Sequence, residues 1–391
     1  MTNFRIVNSC LTFGDWKLKF LGDWHLVIGT YFMRILFISR AYPPIIGGIE
    51  NQNRALSVWL GRLASVTTIA NRHGKKMLPL FLPYATARAL VTAYRYDVVL
   101  LGDGVLAIVG FLIKLLYPKK PVVAVVHGLD LMYGNALYQA FWMKRFLPSL
   151  DMLIAVSGET RAAAIAQNIP EWKIAVIRNG VETEAFRGEY ERTDLEKLLH
   201  ENLAGKCVLL TTGRLARRKG AAWFIRAVLP RLPQTIVYVL AGAGPEEENI
   251  RTAVQKTGVN NQVRILGHVT DAERNLLLHT ADIFIQPNIR VPGDMEGFGI
   301  AVIEAAACKR PVVASNLEGL KEAICHDENG VLVEPENPEA FAKAILSLIE
   351  NADERWALGE RALRYTEEHY HWNIIARLYI ETLNRLIEKT R

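Results

Sequence analysis

The sequence is poor in cysteine, and its few cysteines are far apart. They are Cys10, Cys207, Cys308 and Cys325. No two of them form a Cys-x-x-Cys pair, which argues against a zinc site and against a disulfide framework. We therefore expect a protein of a reducing compartment, the cytoplasm.

Long apolar runs are scarce as well. The run from Val105 to Leu116 is interrupted by Lys114 and is too short to span a bilayer, so it indicates a buried or interfacial helix. The apolar stretch from Leu26 to Tyr31 is short and lacks a convincing cleavage site. The sequence therefore predicts neither a transmembrane segment nor a signal peptide.

Motifs that define several classes of enzyme are missing. The chain has no Walker loop, no Gly-x-Gly-x-x-Gly fingerprint, no His-Glu-x-x-His and no Ser-His-Asp order. It has no Asp-x-Asp either, so a divalent metal bridging a diphosphate has no obvious ligands, and we expect no metal site. Aromatic residues do not interleave with the basic stretches as in an RNA-binding sheet, so no nucleic-acid partner is expected.

What is present is a globular composition with a mild excess of positive charge. Half of the 391 residues are apolar and 22% are charged, which is enough for two substantial cores. Lysine and arginine number 46 against 40 acidic residues, a net charge of +6. This balance suits anionic partners, such as phosphates or acidic lipids, without choosing between them, and most of the charges are expected to face solvent.

The first 32 residues differ from the rest of the chain. They show little periodicity until the pattern changes at Met33 to the apolar run from Arg34 to Ser39. That run predicts the first buried strand. We therefore predict that residues 1–32 form an extension outside the main fold.

From residue 33 onward, apolar runs of strand length alternate with helical patterns. The runs Val98 to Leu101 and Val122 to His127 are continuously apolar, which is typical of parallel strands covered on both faces. Helical patterns, such as Gln52 to Leu63, lie between such runs. The alternation predicts an α/β protein with doubly wound parallel sheets.

A polar stretch from Glu182 to Lys206 separates two series of this kind. The second series begins with the predicted strand Cys207 to Thr212. We therefore predict two Rossmann-like domains, residues 33–190 and 200–371, which meet between residues 185 and 205.

The motif from Glu296 to Ala307 carries the strongest functional signal. Gly297 and Gly299 let the backbone approach a ligand closely. The helix that follows offers free N–H groups and a positive dipole end, which suit a phosphate. Glu296 is placed to bind sugar hydroxyls or to stabilise positive charge at a reacting carbon, and the alternative is an exposed loop charge.

Glu304 is the only charged residue in the apolar helical stretch from Ile300 to Ala307. Such a helix should be buried, where a carboxylate is costly unless donors surround it. Because helical side chains tilt toward the N-terminus, Glu304 reaches toward whatever binds there. A ribose beside a phosphate would supply two hydroxyl donors, and the alternative is a structural carboxylate that caps a neighbouring loop.

A basic motif from Gly213 to Gly220 follows a strand and precedes a helix. Arg214 offers a planar fork for phosphate oxygens and Lys219 a compact charge. Together they suit the stabilisation of a leaving diphosphate without a metal. Arg217 and Arg218 are expected to face solvent, and the alternative for the whole motif is a solvated basic turn.

Weaker signals lie in other loops after predicted strands, where open α/β sheets bind ligands. Gly242 and Gly244 form a Gly-x-Gly turn, and Val269 lies in a loop that can meet a base.

In the first domain, Gly47 and Gly48 precede a helix and can approach a phosphate or a sugar. His127 ends a strand, where it can contact a sugar hydroxyl or act at the reaction centre, although a lone histidine is more often structural.

In this order, the motifs resemble the retaining glycosyltransferases of family 4, which have the GT-B fold. The resemblance runs from about Met33 to the C-terminus and is strongest from Gly213 to Gly330. Its most specific part is the pair Glu296 and Glu304 around Gly-Phe-Gly.

The resemblance implies a role for each matching residue. It implies that Arg214, Lys219 and Gly48 bind the donor diphosphate and that Glu304 binds the ribose. Glu296 and the backbone of Phe298 and Gly299 would bind the donor sugar and phosphate. His127 would lie near the transferred sugar. It also implies a metal-independent hexosyltransferase with a UDP- or GDP-linked sugar as donor and a glycan or lipid-linked hydroxyl as acceptor. The last helix, residues 372–391, would pack back on the first domain.

The chain departs from the family pattern at Leu317-Glu318-Gly319, where members often carry Gly-Gly. We expect this difference to alter the donor-side loop only slightly. The segment before Met33 has no counterpart in the pattern.

Three other hypotheses stay open. The first is another GT-B activity, such as a nucleotide-sugar epimerase or a phosphorylase, and the second is a non-catalytic nucleotide-sugar-binding or scaffold protein. The third, compatible with transfer, is a peripheral protein at the inner face of the membrane, with a basic and apolar face. Its segments would be Lys75 to Tyr84, Val105 to Leu116 and Trp142 to Arg145, which are otherwise ordinary core helices with solvated flanks.

Overall fold

The computed structural model describes residues 10–13, 16–21, 25–28, 32–45 and 47–390, with side chains from residue 32 onward except at Lys75. Its strands are β1 Cys10–Phe13, β2 Trp16–Leu21, β3 His25–Ile28, β4 Arg34–Ser39, β5 Ser65–Ala70, β6 Val98–Leu101, β7 Val122–Val126, β8 Met152–Ala155, β9 Ile174–Val176, β10 Cys207–Thr212, β11 Ile236–Ala241, β12 Val263–Gly267, β13 Ile283–Gln286, β14 Val312–Ser315 and β15 Val331–Val333.

The α-helices of the described residues lie between and after these strands. They are α1 Gly48–Gly61, α2 Leu78–Thr92, α3 Ala107–Leu116, α4 Leu129–Met132, α5 Ala136–Tyr138, α6 Gly158–Ala166, α7 Arg192–Leu199, α8 Ala221–Ala227, α9 Glu247–Thr257, α10 Asp271–Thr280, α11 Ile300–Ala307, α12 Leu320–Ala323, α13 Pro338–Glu350, α14 Ala352–His369 and α15 Trp372–Thr390. A π-helix spans Gln139–Phe146. No helix of the described residues is long and apolar enough to cross a membrane.

Two six-stranded parallel sheets form the frame of the protein, which confirms the predicted fold class. The first has the order β5-β4-β6-β7-β8-β9 and the second the order β12-β11-β10-β13-β14-β15. Continuous apolar runs form their central strands, and every residue of β7 and β11 is buried. Open sheets of this kind bind ligands at the carboxyl ends of the strands where the order reverses, between β4 and β6 and between β10 and β13.

The segment before residue 33 holds three strands that pair antiparallel, in a sheet of their own. The other residues of 1–31 lie outside the described residues. That the segment is an extension to the main fold remains a prediction.

The stretch from Glu182 to Lys206, which the sequence marks as a polar break between the two series of strands, contains α7. Glu191 and Asp194 form a reciprocal capping box at the start of α7, and Leu195 is fully buried beneath it. One buried leucine and a good cap are enough for a short helix in a polar stretch.

Helix α15 packs on α1, so the chain returns to the first sheet after the second. Val181 and His371 form an isolated bridge, in which the Val181 N–H donates to the Tyr370 carbonyl at 2.8 Å. Beside it, Gln52 of α1 donates to the Gly180 carbonyl at 2.9 Å. These bonds hold the segment around Val181, which precedes the second domain, against the segment around Tyr370, which follows it. The exact domain boundaries remain predictions.

Gly180→Ala should destabilise this junction. A Cβ at Gly180 would lie 2.6 Å from Cδ2 of the buried Trp372 ring, so the ring or the backbone must shift. We expect a loss of about 2 kcal/mol in the free energy of unfolding, measured by urea denaturation. Gly134→Ala is the control, because a Cβ there has no neighbour within 4 Å among the described residues. Equal losses in both variants would contradict the prediction.

Candidate active site

The candidate site lies between the two sheets, at the carboxyl ends of β10 and β13. Gly297, in the loop after β13, packs so closely on the His127 carbonyl that a Cβ would collide with it. A Cβ at Gly48, the first residue of α1, would lie 3.5 Å from the Ile300 side chain at the start of α11. The starts of α1 and α11 therefore face each other across the cleft.

Lys219 and Glu296 form a close ion pair at the centre of this site. Their Nζ and Oε2 atoms are 2.6 Å apart, and each side chain is only 10% exposed. Lys219 ends a short turn of helix after β10, whereas Glu296 comes from the loop between β13 and α11. The sequence prediction that both residues belong to one site therefore agrees with their positions, but their individual roles remain predictions.

The pKa of Glu296 falls from 4.5 to about 2. Burial alone would raise this pKa, but the positive charges of Lys219 and Arg218 outweigh it, helped by hydrogen bonds from Lys219 and Asn288. Glu296 is therefore ionised across the physiological range. The exposed loop charge considered from the sequence is not what the structure contains.

This depressed pKa predicts a pH-dependent stability. A carboxyl group whose pKa is lower in the folded protein stabilises it above the unfolded pKa, and this contribution is lost as the pH falls from about 4.5 toward 2. We expect the stability advantage of wild type over Glu296→Gln to shrink by about 3 kcal/mol over that window. Urea denaturation of both proteins at several pH values tests this, and a constant difference would contradict it.

Arg218 does not face solvent as expected. Its side chain is 14% exposed, with one guanidinium nitrogen 3.3 Å from Asp294 and Nε 3.5 Å from Glu296. Because the turn from Arg217 to Lys219 is helical, the side chain of Arg218 is carried toward the loop after β13, while Arg217 stays exposed. The sequence of this basic segment did not reveal which of its side chains points into the protein.

A buried polar ladder that the sequence did not reveal supports Glu296. Asn288 donates to Glu296 at 3.3 Å and in turn accepts from Gln286 at 2.5 Å. Ser315 of β14 donates to the Asn288 carbonyl at 2.7 Å. All three supporting side chains are fully buried. Their polar character at the ends of apolar strands was the available signal, because buried amides need partners.

Glu304 lies on α11, where the positive charges of Arg274 and Lys219 act on its carboxylate. The closest guanidinium nitrogen of Arg274 is 4.0 Å from Oε1, and the Glu304 side chain is 18% exposed. Within the described residues no donor is hydrogen-bonded to this carboxylate, so it does not cap a neighbouring loop. Burial raises its pKa, against the lowering effect of Arg274. Arg274, on α10, was not singled out from the sequence.

The remaining residues of the Gly-Phe-Gly motif shape the start of α11. Gly299 is the N-cap at φ 92°, a left-handed conformation that favours glycine. Phe298 is 2% exposed, and its ring packs edge-on to Tyr370 with centroids 5.5 Å apart. The Phe298 side chain is therefore a core anchor, and only its backbone is available to a ligand.

The other predicted residues lie around this centre. Arg214 is exposed, on the loop after β10. Gly242 and Gly244 pack against the backbone of Gly213 and Leu215, where a Cβ would collide with carbonyl oxygens. These two glycines are thus explained by the contact between two loops, and a ligand role for them, for Gly213 and for the half-buried Val269 remains a prediction.

His127, just after β7, is oriented by the Gly102 carbonyl that follows β6 and by the Asp130 carboxylate of α4. Its Nε2 donates to the Gly102 carbonyl at 3.1 Å, and its backbone N–H donates to Asp130 at 3.0 Å. The pKa of the buried Asp130 is raised by burial. In the neutral ring with Nε2 as the donor, Nδ1 is an acceptor. Gly47 precedes α1 as its N-cap.

Glu318 occupies the position where the sequence departs from the family pattern. Its φ of 48° is left-handed, which costs a residue with a side chain about 1 kcal/mol. Its carboxylate accepts from the Glu296 N–H at 2.5 Å, and burial raises its pKa. The difference therefore places a second glutamate directly on the loop that carries Glu296, and the slight effect expected on that loop remains a prediction.

Glu318→Gly and Glu318→Ala separate the strain from the hydrogen bond. Both variants lose the acceptor for the Glu296 N–H, but only alanine keeps the cost of the left-handed backbone. We expect the glycine variant to be more stable than the alanine variant by about 1 kcal/mol in urea denaturation. Glu318→Gln, which keeps an accepting oxygen, is the control, and an alanine variant at least as stable as the glycine variant would contradict the assignment.

The fold and site define a class: two Rossmann-like domains that face each other over a cleft with basic groups and paired glutamates. Comparison with known families agrees. The family described as Glycosyltransferase Family 4 matches residues 44–185, and the family described as Glycosyl transferases group 1 matches residues 197–365. Together these matches cover most of the chain, which therefore belongs to glycosyltransferase family 4 and has the GT-B fold.

Individual relatives are distant but extend over most of the chain. An uncharacterized glycosyltransferase of Methanocaldococcus jannaschii is 27% identical and covers 90% of this chain and 97% of its own length. A GDP-mannose-dependent alpha-(1-6)-phosphatidylinositol monomannoside mannosyltransferase of Mycobacterium tuberculosis is 26% identical, over 88% of this chain and 96% of its own. Among solved structures, HepE of Anabaena in complex with UDP-glucose superposes with a TM-score of 0.74 at 23% identity, over 90% of this chain and 100% of its own.

Proposed function

We propose that the protein transfers a hexose from a UDP- or GDP-linked sugar to a hydroxyl of a glycan or a lipid-linked acceptor, with retention of the anomeric configuration and without a metal. The observation that carries this proposal is the buried Lys219–Glu296 pair between the starts of two helices, with Glu304 one turn further along α11. Glycosyltransferase activity itself follows from the family.

Each side chain of the site would bind a different part of the donor. Lys219, the exposed Arg214 and the N–H groups at the start of α11 stabilise the diphosphate, whose negative charge grows as its bond to the sugar breaks. Glu304 accepts hydrogen bonds from the ribose hydroxyls. Glu296, held ionised, accepts from sugar hydroxyls and stabilises the positive charge that develops at the anomeric carbon.

The transfer then needs no covalent protein nucleophile. The bond from the anomeric carbon to the diphosphate breaks with its electron pair on the diphosphate oxygen. The acceptor oxygen bonds to the same face of the carbon, and its proton passes to the departing diphosphate. His127 lies beside the transferred sugar, where Nδ1 accepts from a hydroxyl group.

The test is the release of nucleoside diphosphate from a panel of UDP-, GDP- and ADP-linked hexoses in the presence of EDTA. We expect release with one nucleotide only, dependent on acceptor, and an NMR spectrum of the product with the donor's anomeric configuration. Binding without release would indicate a non-catalytic nucleotide-sugar protein, conversion without acceptor an epimerase, and loss of activity in EDTA a metal requirement. The relatives support both bases, since one is named as GDP-mannose-dependent and another binds UDP-glucose.

A further inference from the structure

We propose that Arg274 of α10 is a positioning residue for the donor nucleotide, and that its guanidinium holds the Glu304 carboxylate in the charged form that accepts hydrogen bonds from the ribose. The inference rests on the proposed function, because it needs a donor whose ribose binds Glu304. It adds to the donor site a residue that belongs to none of the motifs recognised in the sequence.

Arg274 and Glu304 face each other from two helices that pack side by side, α10 and α11. The nearest guanidinium nitrogen of Arg274 is 4.0 Å from Oε1 of Glu304, and the two side chains are 25% and 18% exposed. This distance allows the charges to attract each other but is too long for a hydrogen bond. The pair is therefore open, and the carboxylate oxygens can still accept from a ligand.

Neither member of the pair has the hydrogen bonds that a buried charge normally makes. Nε of Arg274 is buried without an acceptor among the described residues, and none of these residues donates to the Glu304 carboxylate. Buried charged groups are costly unless they are hydrogen-bonded, and nearly all buried polar groups have a partner. An open pair of this kind indicates a place where a bound molecule supplies the missing partners.

The charge on Glu304 depends on the groups that surround it in the described part of the chain. Burial raises its pKa, Arg274 on α10 lowers it, Asp271 on the same helix raises it, and Lys219 after β10 lowers it. The Asp271 side chain is 91% exposed, so water screens its charge. The nearby Cys308 stays neutral, because burial raises the pKa of its thiol to about 12.

Lys219 cannot replace Arg274 in this role. Its ammonium group already lies 2.6 Å from the carboxylate of Glu296, and its effect on Glu304 is the smaller of the two. Without Arg274, the Glu304 carboxyl would keep the full effect of burial, and its pKa would rise further. The protonated form would then persist to a higher pH.

A ribose is bound best by the ionised form of Glu304. An ionised carboxylate only accepts hydrogen bonds, whereas a protonated one uses one oxygen as a donor. Hydrogen bonds to a charged carboxylate are also about twice as strong as those between neutral groups. Arg274 therefore acts on the nucleotide through Glu304, away from the reacting atoms.

A purely structural role for Arg274 is the alternative that the experiment must separate. Its guanidinium carbon lies 5.7 Å from the centre of the Phe186 ring, in the segment that joins the two sheets. An arginine that only held this segment would contribute to folding stability. It would not change how nucleotide binding varies with pH.

The experiment measures by calorimetry, in EDTA, the affinities of UDP, GDP, ADP and their 2′-deoxy counterparts from about pH 6 to pH 9, the range in which buried glutamates titrate. Arg274→Met removes the charge but keeps a long side chain, and Arg274→Lys restores the charge. Arg251→Met is the matched control, because it removes an arginine that pairs with a glutamate on the exposed surface of α9. Thermal unfolding establishes that each variant is folded.

We expect wild type and the control variant to bind one of the nucleotides alike. Arg274→Met should bind it at least about tenfold more weakly at about pH 6.5 and approach wild type at about pH 9, where its Glu304 ionises. Because each affinity is compared with wild type at the same pH, titration of the nucleotide phosphate cancels. Arg274→Lys should recover most of the affinity. The 2′-deoxy nucleotide lacks one hydroxyl donor, so wild type should discriminate against it more strongly than Arg274→Met does at the lower pH.

A loss in Arg274→Met that is the same at every pH, or that Arg274→Lys does not reduce, would overturn the proposal and leave the arginine with its structural contact to Phe186. Unchanged discrimination against the 2′-deoxy nucleotide would overturn it as well. In these cases wild type still binds nucleotide, and the proposed function stands. Absence of nucleotide binding by wild type would refute the proposed function and this inference together.

Discussion

Replacing Lys219 with methionine is expected to lower the free energy of unfolding by about 3 kcal/mol and to reduce transfer at least about a hundredfold. The stability loss arises because Glu296 keeps its charge in a site where its side chain is 10% exposed, with only Arg218 left nearby. The activity loss is expected because, in the proposed mechanism, Lys219 is the compact positive charge that stabilises the diphosphate as its own charge grows.

The double variant Lys219→Met/Glu296→Gln separates the two effects. Removing both charges leaves no buried carboxylate without a partner, so most of the lost stability should return, since replacing a whole buried pair is often nearly neutral. Activity should not return, because in the proposed mechanism both groups act on the donor. Urea denaturation and initial rates measure the two quantities, and a stable double variant with wild-type rates would show that the pair is only structural.

Glu304→Gln is expected to weaken nucleotide binding about tenfold to a hundredfold without destabilising the protein. A hydrogen bond to a charged group contributes about 1.5 to 3 kcal/mol, and the ribose would bond to this carboxylate twice. Without a ligand, the ionised Glu304 carboxylate contributes little to folding stability, because Arg274 is 4.0 Å away and burial raises the pKa of Glu304 above the ordinary value. A glutamine avoids the cost of burying that charge.

The raised pKa of Glu304 also predicts how its contribution to folding stability changes with pH. A carboxyl group whose pKa is higher in the folded protein contributes stability below its unfolded pKa and loses that contribution as the pH rises. Glu304→Gln should therefore equal or exceed wild type in thermal stability at neutral pH, while the shift in melting temperature produced by UDP or GDP disappears. Glu248→Gln, on the exposed surface of α9, is the control. A destabilised Glu304→Gln that still binds nucleotide normally would show a purely structural carboxylate.

Continuous apolar runs and the glycines between them determined the two parallel sheets, because fully buried strands have no polar face to interrupt the run. The sequence pattern also identified Glu304, since a single charged residue in an apolar helix can be recognised from the sequence alone. The positions of Lys219 and Glu296 in loops after predicted strands placed both at the ligand-binding edge of a sheet, because the carboxyl ends of parallel strands meet at one edge.

Only the tertiary structure decided which side chains meet there. Arg218 turns inward because a helical turn rotates it toward Asp294, 76 residues away along the chain. Arg274 faces Glu304 because α10 and α11 pack side by side, and Glu318 reaches the Glu296 N–H because its backbone is left-handed. Such contacts depend on sheet order and backbone rotation, which bring distant segments together. Local patterns of hydrophobicity carry no record of them.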